Sequence, residues 1–243
     1  MPNPGYDRGM QTIDLARLTA DSLAGDIAAN GYATRPLLPQ ATCRDLAALY
    51  ADDTKFRKRI VMEHHAYGRG EYKYLAYPLP DQVAALRESL YPPLAAVANT
   101  WRRALAEPGE PFPDTLPAFL SRCHAAGQTR PTPLLLRYGE GDFNCLHQDL
   151  YGDLVFPLQV VILLSRPETD FTGGEFVLVE QRPRAQSRVA VVPLSQGEAV
   201  IFPVHHRPVQ GTRGPYRLTM RHGVSRIRSG TRQTLGIIFH DAA

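Results

Sequence analysis

The chain has 243 residues, 44% hydrophobic and 21% charged, the balance of a globular protein long enough to bury a sizeable core. Its three cysteines, Cys43, Cys123 and Cys145, are odd in number and far apart, which excludes a disulfide framework and a zinc ribbon. The net charge of +3 conceals a skew, because no acidic residue falls between Glu198 and Asp241 while seven arginines do, a stretch suited to phosphates or carboxylates.

The opening Met1-Pro2-Asn3-Pro4-Gly5-Tyr6-Asp7-Arg8 has no apolar leader core, and no window approaches about 18 consecutive apolar residues. A cytoplasmic location with no membrane partner is therefore expected. Residues 20 to 30 carry apolar positions at helical spacing, and Gly31 follows as a stop. Tyr32 to Leu38 reads as a short strand, and Pro39 with Thr42 opens a second helix through about Tyr50.

The aromatic and β-branched stretch from Ile60 to Tyr77, interrupted by Gly68-Arg69-Gly70, predicts a hairpin. It contains Glu63-His64-His65, but adjacent histidines on a strand face opposite ways and do not serve one ion. Its tyrosines, Tyr67, Tyr72, Tyr74 and Tyr77, suit core packing or the wall of a substrate pocket. From Asp81 to about Leu105, apolar residues recur every three or four positions, a long helix that Pro92-Pro93 should kink or split. A Pro- and Gly-rich connector over 108–117 precedes a short helix ending near His124.

From Pro133 the texture changes to strands: Leu134 to Tyr138, Asn144 to His147, Phe156 to Leu164, Gly174 to Glu180, Val189 to Val192, Glu198 to Val204, Tyr216 to Val224, and Arg232 to His240. Together they predict an α+β chain whose core is a double-stranded β-helix, or jelly roll, with an N-terminal helical and mixed region packed on it. Residues 1–243 then form one catalytic domain, with 1–130 as mostly helical support and lid and 131–243 as the core.

His147-Gln148-Asp149 carries the first chemistry. On an extended strand His147 and Asp149 point the same way, about 6.6 Å apart at ~3.3 Å per residue, and reach one ion. Joined by a distant histidine they make the facial triad of non-heme Fe(II) oxygenases, which leaves coordination positions open. Among the downstream histidines, His222 shares the apolar face of its strand with Leu218, Met220 and Val224, whereas His205 and His206 fall where a loop is expected.

If Ser229-Gly230 is a two-residue hairpin turn, Arg232 pairs with Ile227, about 16 Å along the strand from His222. That gap suits a metal bond, a five-carbon dicarboxylate and an extended arginine, which together span on the order of 15 Å. Arg232 would grip the distal carboxylate of 2-oxoglutarate in a bidentate pair, with the Thr234 hydroxyl on the same strand face.

These residues, with Gly173-Gly174-Glu175 and Gly197-Glu198-Ala199-Val200-Ile201-Phe202, resemble the Fe(II)/2-oxoglutarate dioxygenase superfamily. More narrowly, Pro133 to Asp149, Gln181-Arg182-Pro183-Arg184, and Arg221-His222-Gly223-Val224-Ser225 ending in Ile238-Phe239-His240-Asp241 look like a bacterial family of nucleic-acid oxygenases. That family is thought to demethylate damaged DNA bases oxidatively. Arg137-Tyr138 and Leu146-His147-Gln148-Asp149 resemble the AlkB repair demethylases, although Leu136 stands at their co-substrate-binding asparagine. The ten-residue step from His222 to Arg232 is closer to prolyl-hydroxylase-like members.

The resemblance implies Fe(II) on His147, Asp149 and His222, 2-oxoglutarate on Arg232 with Tyr138 as a further contact, and O2 as co-substrate. It implies alkylated DNA, single-stranded in one version, as the partner. Arg182, Arg184, Arg188, Arg217 and Arg221 are then candidates for phosphates, and Gln148 and Tyr151 for the substrate side, Tyr151 by stacking. Two other readings stay open: a hydroxylase of a protein side chain, amino acid or other small molecule, and a jelly-roll module that holds metal without catalysis.

Overall fold

The computed structural model describes residues 18–243. The N-terminal part holds helix α1 (Ala20–Asn30), strand β1 (Ala33–Pro36), helix α2 (Gln40–Ala48), strands β2 (Phe56–Val61), β3 (Gly68–Arg69) and β4 (Glu71–Leu75), and helices α3 (Asp81–Ala104) and α4 (Leu116–Ala125). Strands then follow without further helices: β5 (Leu134–Tyr138), β6 (Phe143–His147), β7 (Leu158–Leu163), β8 (Phe171–Gly173), β9 (Phe176–Gln181), β10 (Arg188–Val192) and β11 (Glu198–Pro203). The last four are β12 (His206–Gly211), β13 (Gly214–Val224), β14 (Ile227–Gly230) and β15 (Arg232–Ile237).

Two antiparallel sheets face one another. The larger runs β1-β11-β7-β15-β5-β4-β2 and the smaller β10-β9-β13-β6-β3, with β12 also on β13 and a separate β14-β8 pair. This is the expected jelly roll, with one correction to its boundary. The N-terminal part is more than a helical support, because β1, β2 and β4 extend the larger sheet and β3 the smaller.

Strand β7 is buried along its whole length, and its alternation explains how the layers meet. Val160 and Ile162 face the helices, packing with Leu86, Leu90 and Leu94 of α3, while Val161 joins Phe202, Leu218 and Met220 between the sheets. Each such side chain contributes roughly 1.5–3 kcal/mol on burial.

Helix α1 begins at Thr19, whose side chain caps Ser22 N, and ends at Gly31 in the left-handed region. Helix α3 overturns one expectation by running unbroken through Pro92-Pro93. An interior proline costs about 3 kcal/mol. Pro92 faces solvent, however, while the neighbouring Leu90, Tyr91, Leu94 and Ala95 are buried, and their packing outweighs the loss.

The expected hairpin over 60–77 exists as β2 against β4, but a 3-10 turn at Met62–His65 and β3 replace the tight Gly68-Arg69-Gly70 turn. His206 opens β12 instead of lying in a loop. The Ser229-Gly230 hairpin is absent. Ile227 pairs with Gly173, whereas Arg232 pairs with Tyr138, because β14 and β15 enter different sheets.

Candidate metal centre

His147 at the end of β6 and His222 in β13 are direct cross-strand partners, which brings their ring centroids to 4.1 Å. Asp149 follows in the connection to β7. Its Oδ1 lies 3.5 Å from His147 Nε2 and its Oδ2 lies 3.4 Å from His222 Nε2. Among the described residues this is the group whose three ligand atoms converge on a single point, all within 4.8 Å of one another.

The surroundings prepare all three for a cation. His147 Nδ1 lies 2.8 Å from the carbonyl oxygen of Cys145, to which it can donate, leaving the Nε2 lone pair for metal. Burial opposes ionisation of Asp149, yet its contacts with His222 and His147 hold the carboxyl well below the usual range. Burial, then the neighbouring His147, keeps His222 neutral to lower pH than usual. An imidazole pair and a carboxylate in this state fit Fe(II).

The triad opens into a cavity of about 270 Å³ that also meets Tyr138, Arg232 and Thr234. Arg232 is 2% exposed, and its Nε has no hydrogen-bond partner. The guanidinium lies between the rings of Tyr138 and Phe171, at 5.8 and 5.9 Å. Burial lowers its pKa to about 10, which still leaves it cationic at neutral pH. A buried cation facing a cavity calls for an anion. Gly174 makes room for the arginine side chain, since a Cβ there would sit 2.9 Å from Arg232 Cδ and 2.2 Å from Ile227 Cδ1.

The other residues singled out in the sequence divide. Gln148 lines the cavity, but its Nε2 donates to the carbonyls of Met220 and His205, at 2.8 and 3.1 Å, tying the loop to β13. Tyr151 is no exposed stacking platform, because its hydroxyl donates to Asp149 Oδ1 at 2.8 Å and its ring meets Tyr74 edge-on. Arg182 and Arg184 line a surface groove that shares no residue with the metal cavity. Arg188 pairs with Glu180 and Arg217 with Glu107, while Arg221 points outward from β13.

His65 stacks on Tyr67, which is half exposed at the cavity and beside exposed Leu150. His206 contacts His205 and Glu107, and neither histidine belongs to the converging group. Tyr72, like Tyr67, stands in the cavity wall as its hairpin allowed, whereas two polar cavity residues carry no expectation from the sequence: Asn144 and Gln159. Asn144 Nδ2 donates to the Tyr138 hydroxyl at 3.3 Å. Gln159 had a legible signal, a lone polar residue inside the apolar run from Phe156 to Leu164.

Comparison with known proteins agrees with this geometry. Residues 70–242 match the family Oxygenase-NA, described as "Oxygenase, catalysing oxidative methylation of damaged DNA". An uncharacterized protein of Mycobacterium tuberculosis, in strains CDC 1551 / Oshkosh and H37Rv, is 56% identical over 166 residues, 68% of this chain and 71% of the relative. A Pseudomonas putida prolyl-4-hydroxylase shares the fold at TM-score 0.51 and 15% identity, covering 91% of this chain and 99% of that one. The non-heme alpha ketoglutarate dependent epimerase SnoN of nogalamycin biosynthesis does so at 0.52 and 14%, covering 92% and 82%. The chain belongs to the Oxygenase-NA family and is a 2-oxoglutarate-dependent non-heme Fe(II) dioxygenase, with Fe(II), 2-oxoglutarate and O2 as its cofactor and co-substrates.

Proposed function

We propose that the enzyme oxidatively demethylates alkylated nucleobases in DNA, within one catalytic domain. The observation that carries this is the family match, whose description names damaged DNA, laid over a metal cavity with an aromatic mouth at Tyr67. Such a mouth suits a flat ring taken out of the stack.

His147, Asp149 and His222 would hold the Fe(II). Arg232 binds the distal carboxylate of 2-oxoglutarate, the partner its buried charge lacks, and Thr234 lies two residues along the same strand face. The Tyr138 hydroxyl, fully buried beside it, accepts from Asn144 and keeps its own proton to donate to the same co-substrate. Tyr151 fixes the orientation of the Asp149 carboxylate. The apolar walls at Leu134, Leu136, Val161 and Val224 exclude water around the reacting carbon.

When bound, Fe(II) with 2-oxoglutarate and O2 inserts one oxygen atom into a C–H bond while the other enters succinate as CO2 leaves. On an N-methyl group the hydroxymethyl product then releases formaldehyde and the free base nitrogen.

The test is succinate and formaldehyde formation by purified enzyme with Fe(II), 2-oxoglutarate and ascorbate. Methylated single- and double-stranded oligonucleotides are compared with a peptide and metabolite panel. Stimulation by methylated over unmethylated oligonucleotides supports the proposal. Stimulation by a peptide or metabolite without any by oligonucleotides overturns it in favour of a side-chain or small-molecule hydroxylase.

A further inference from the structure

Gln159 is the polar side chain of the cavity that the co-substrate reading leaves without a task. It lies in β7 with 3% exposure, and its Oε1 is buried with no hydrogen-bond partner among the described residues. It nevertheless lines the same cavity as His147, His222 and Arg232. A buried carboxamide oxygen left unpaired is costly, so one aimed into a ligand cavity marks a contact the ligand completes.

Register places Gln159 relative to the metal. Thr234 lies beside Leu163 and Gly236 beside Val161, so β7 runs back along β15. Arg232 is two residues before Thr234 and Gln159 four before Leu163, hence about six residue steps separate them, roughly 20 Å along the strands. The co-substrate reaches on the order of 15 Å from the Arg232 backbone to the metal. Gln159 therefore lies further along the strands from the anchor than the co-substrate reaches.

A second relation agrees. Across the sheet Gln159 pairs with Phe202, whose ring packs 4.7 Å from the His222 ring. Gln159 thus stands on the His222 side of the cavity, one side chain removed from that ligand.

We propose that Gln159 reads the primary substrate: its carboxamide hydrogen-bonds the polar edge of an extruded nucleobase and sets the methyl group toward the metal. A carboxamide presents a donor and an acceptor side by side, which matches the adjacent ring nitrogen and exocyclic group of a base edge. The assignment rests on the nucleobase reading of the pocket and adds the residue that determines which base is held.

Gln159→Leu keeps the size and removes both hydrogen-bonding atoms. The expected result is a KM for methylated oligonucleotide raised about tenfold, with less formaldehyde formed per succinate. Affinity for 2-oxoglutarate, measured anaerobically by calorimetry on the metal-loaded protein, should stay at the wild-type level. The melting temperature should be unchanged or higher, because an unpaired buried oxygen is removed. Gln159→Glu, which keeps an acceptor but no amide donor, should shift preference among methylated bases.

Three results would overturn the assignment: an unchanged oligonucleotide KM in Gln159→Leu, a tenfold loss of 2-oxoglutarate affinity, or a melting temperature lowered by several degrees. The second would move Gln159 to the co-substrate, and the third would make it a structural residue. If wild-type enzyme ignores every oligonucleotide, the nucleobase reading itself has failed and this assignment falls with it, whatever the variants do.

Discussion

Tyr151 donates its hydroxyl to Oδ1 of Asp149 at 2.8 Å, two residues further along the chain and deep in the metal cavity. Asp149 presents its other oxygen to His222, so the tyrosine fixes the plane in which the carboxylate meets an ion. Losing such a support typically weakens metal affinity 10- to 100-fold. Tyr151→Phe should show a loss of about that size in Fe(II) or Mn(II) titrations, with the fold retained. Stacking on a substrate ring would survive in phenylalanine, so an unchanged metal affinity with intact activity would return Tyr151 to the substrate-stacking role.

Arg232 carries a buried charge whose Nε is unpaired, with Glu175 near enough to favour the cation but forming no ion pair with it among the described residues. Arg232→Met fills the same volume without the charge and should raise the stability of the ligand-free protein by about 1–3 kcal/mol. It should also weaken 2-oxoglutarate binding by orders of magnitude. Arg232→Lys should recover only part of that affinity, because an ammonium lacks the planar fork of a guanidinium. Thermal denaturation together with 2-oxoglutarate calorimetry reads both effects. A variant that is less stable yet binds 2-oxoglutarate normally would refute the anchor.

Asp241 and Arg87 are an ion pair at 2.8 Å with side chains 0% and 1% exposed, where the last turn of chain docks on α3. Arg87 also donates to the carbonyls of Ile238 and Phe239, so it holds the segment that follows β15. Asp241→Ala should cost about 3–5 kcal/mol by leaving a buried cation unpaired. The double variant Arg87→Met, Asp241→Leu should recover most of that loss. Denaturant unfolding of the two variants beside wild type checks this, and an Asp241→Ala protein as stable as wild type would show that the pair carries nothing.

What the sequence made legible follows from how local each signal is. Face periodicity is local, so the bounds of α1 and β5 and the inward turn of His222 agree with the structure. Which sheet a strand joins depends on distant partners. The hairpin expected between Ile227 and Arg232 is therefore absent, although Arg232 still reaches the cavity through its pairing with Tyr138.

The arginines were legible as a basic stretch, but acidic partners distant in sequence decide their use. Glu107 takes Arg217, and Glu180 takes both Arg188 and Arg207. Gln159 was visible as a polar break in an apolar strand. Its meaning required the opposite sheet, which turns the inner face of β7 into a cavity wall.

His240 gives the protein an acid-sensitive interior. The ring is fully buried and its Nδ1 accepts from Phe156 N at 3.2 Å. Burial, and then the charge of Arg87, push its pKa down to about 4. The unfolded chain takes up a proton near pH 6.5, whereas the folded chain does so only near pH 4. Stability from the neutral ring is complete above about pH 6.5 and declines as pH falls toward 4, by about 3 kcal/mol in all. His240→Asn keeps an acceptor for Phe156 N but does not titrate. Its denaturant-unfolding stability, measured without metal, should fall less than that of wild type between pH 7 and pH 4.5. Parallel pH profiles for the two proteins would show that His240 takes up its proton as readily in the folded chain as in the unfolded one, which refutes the lowered pKa.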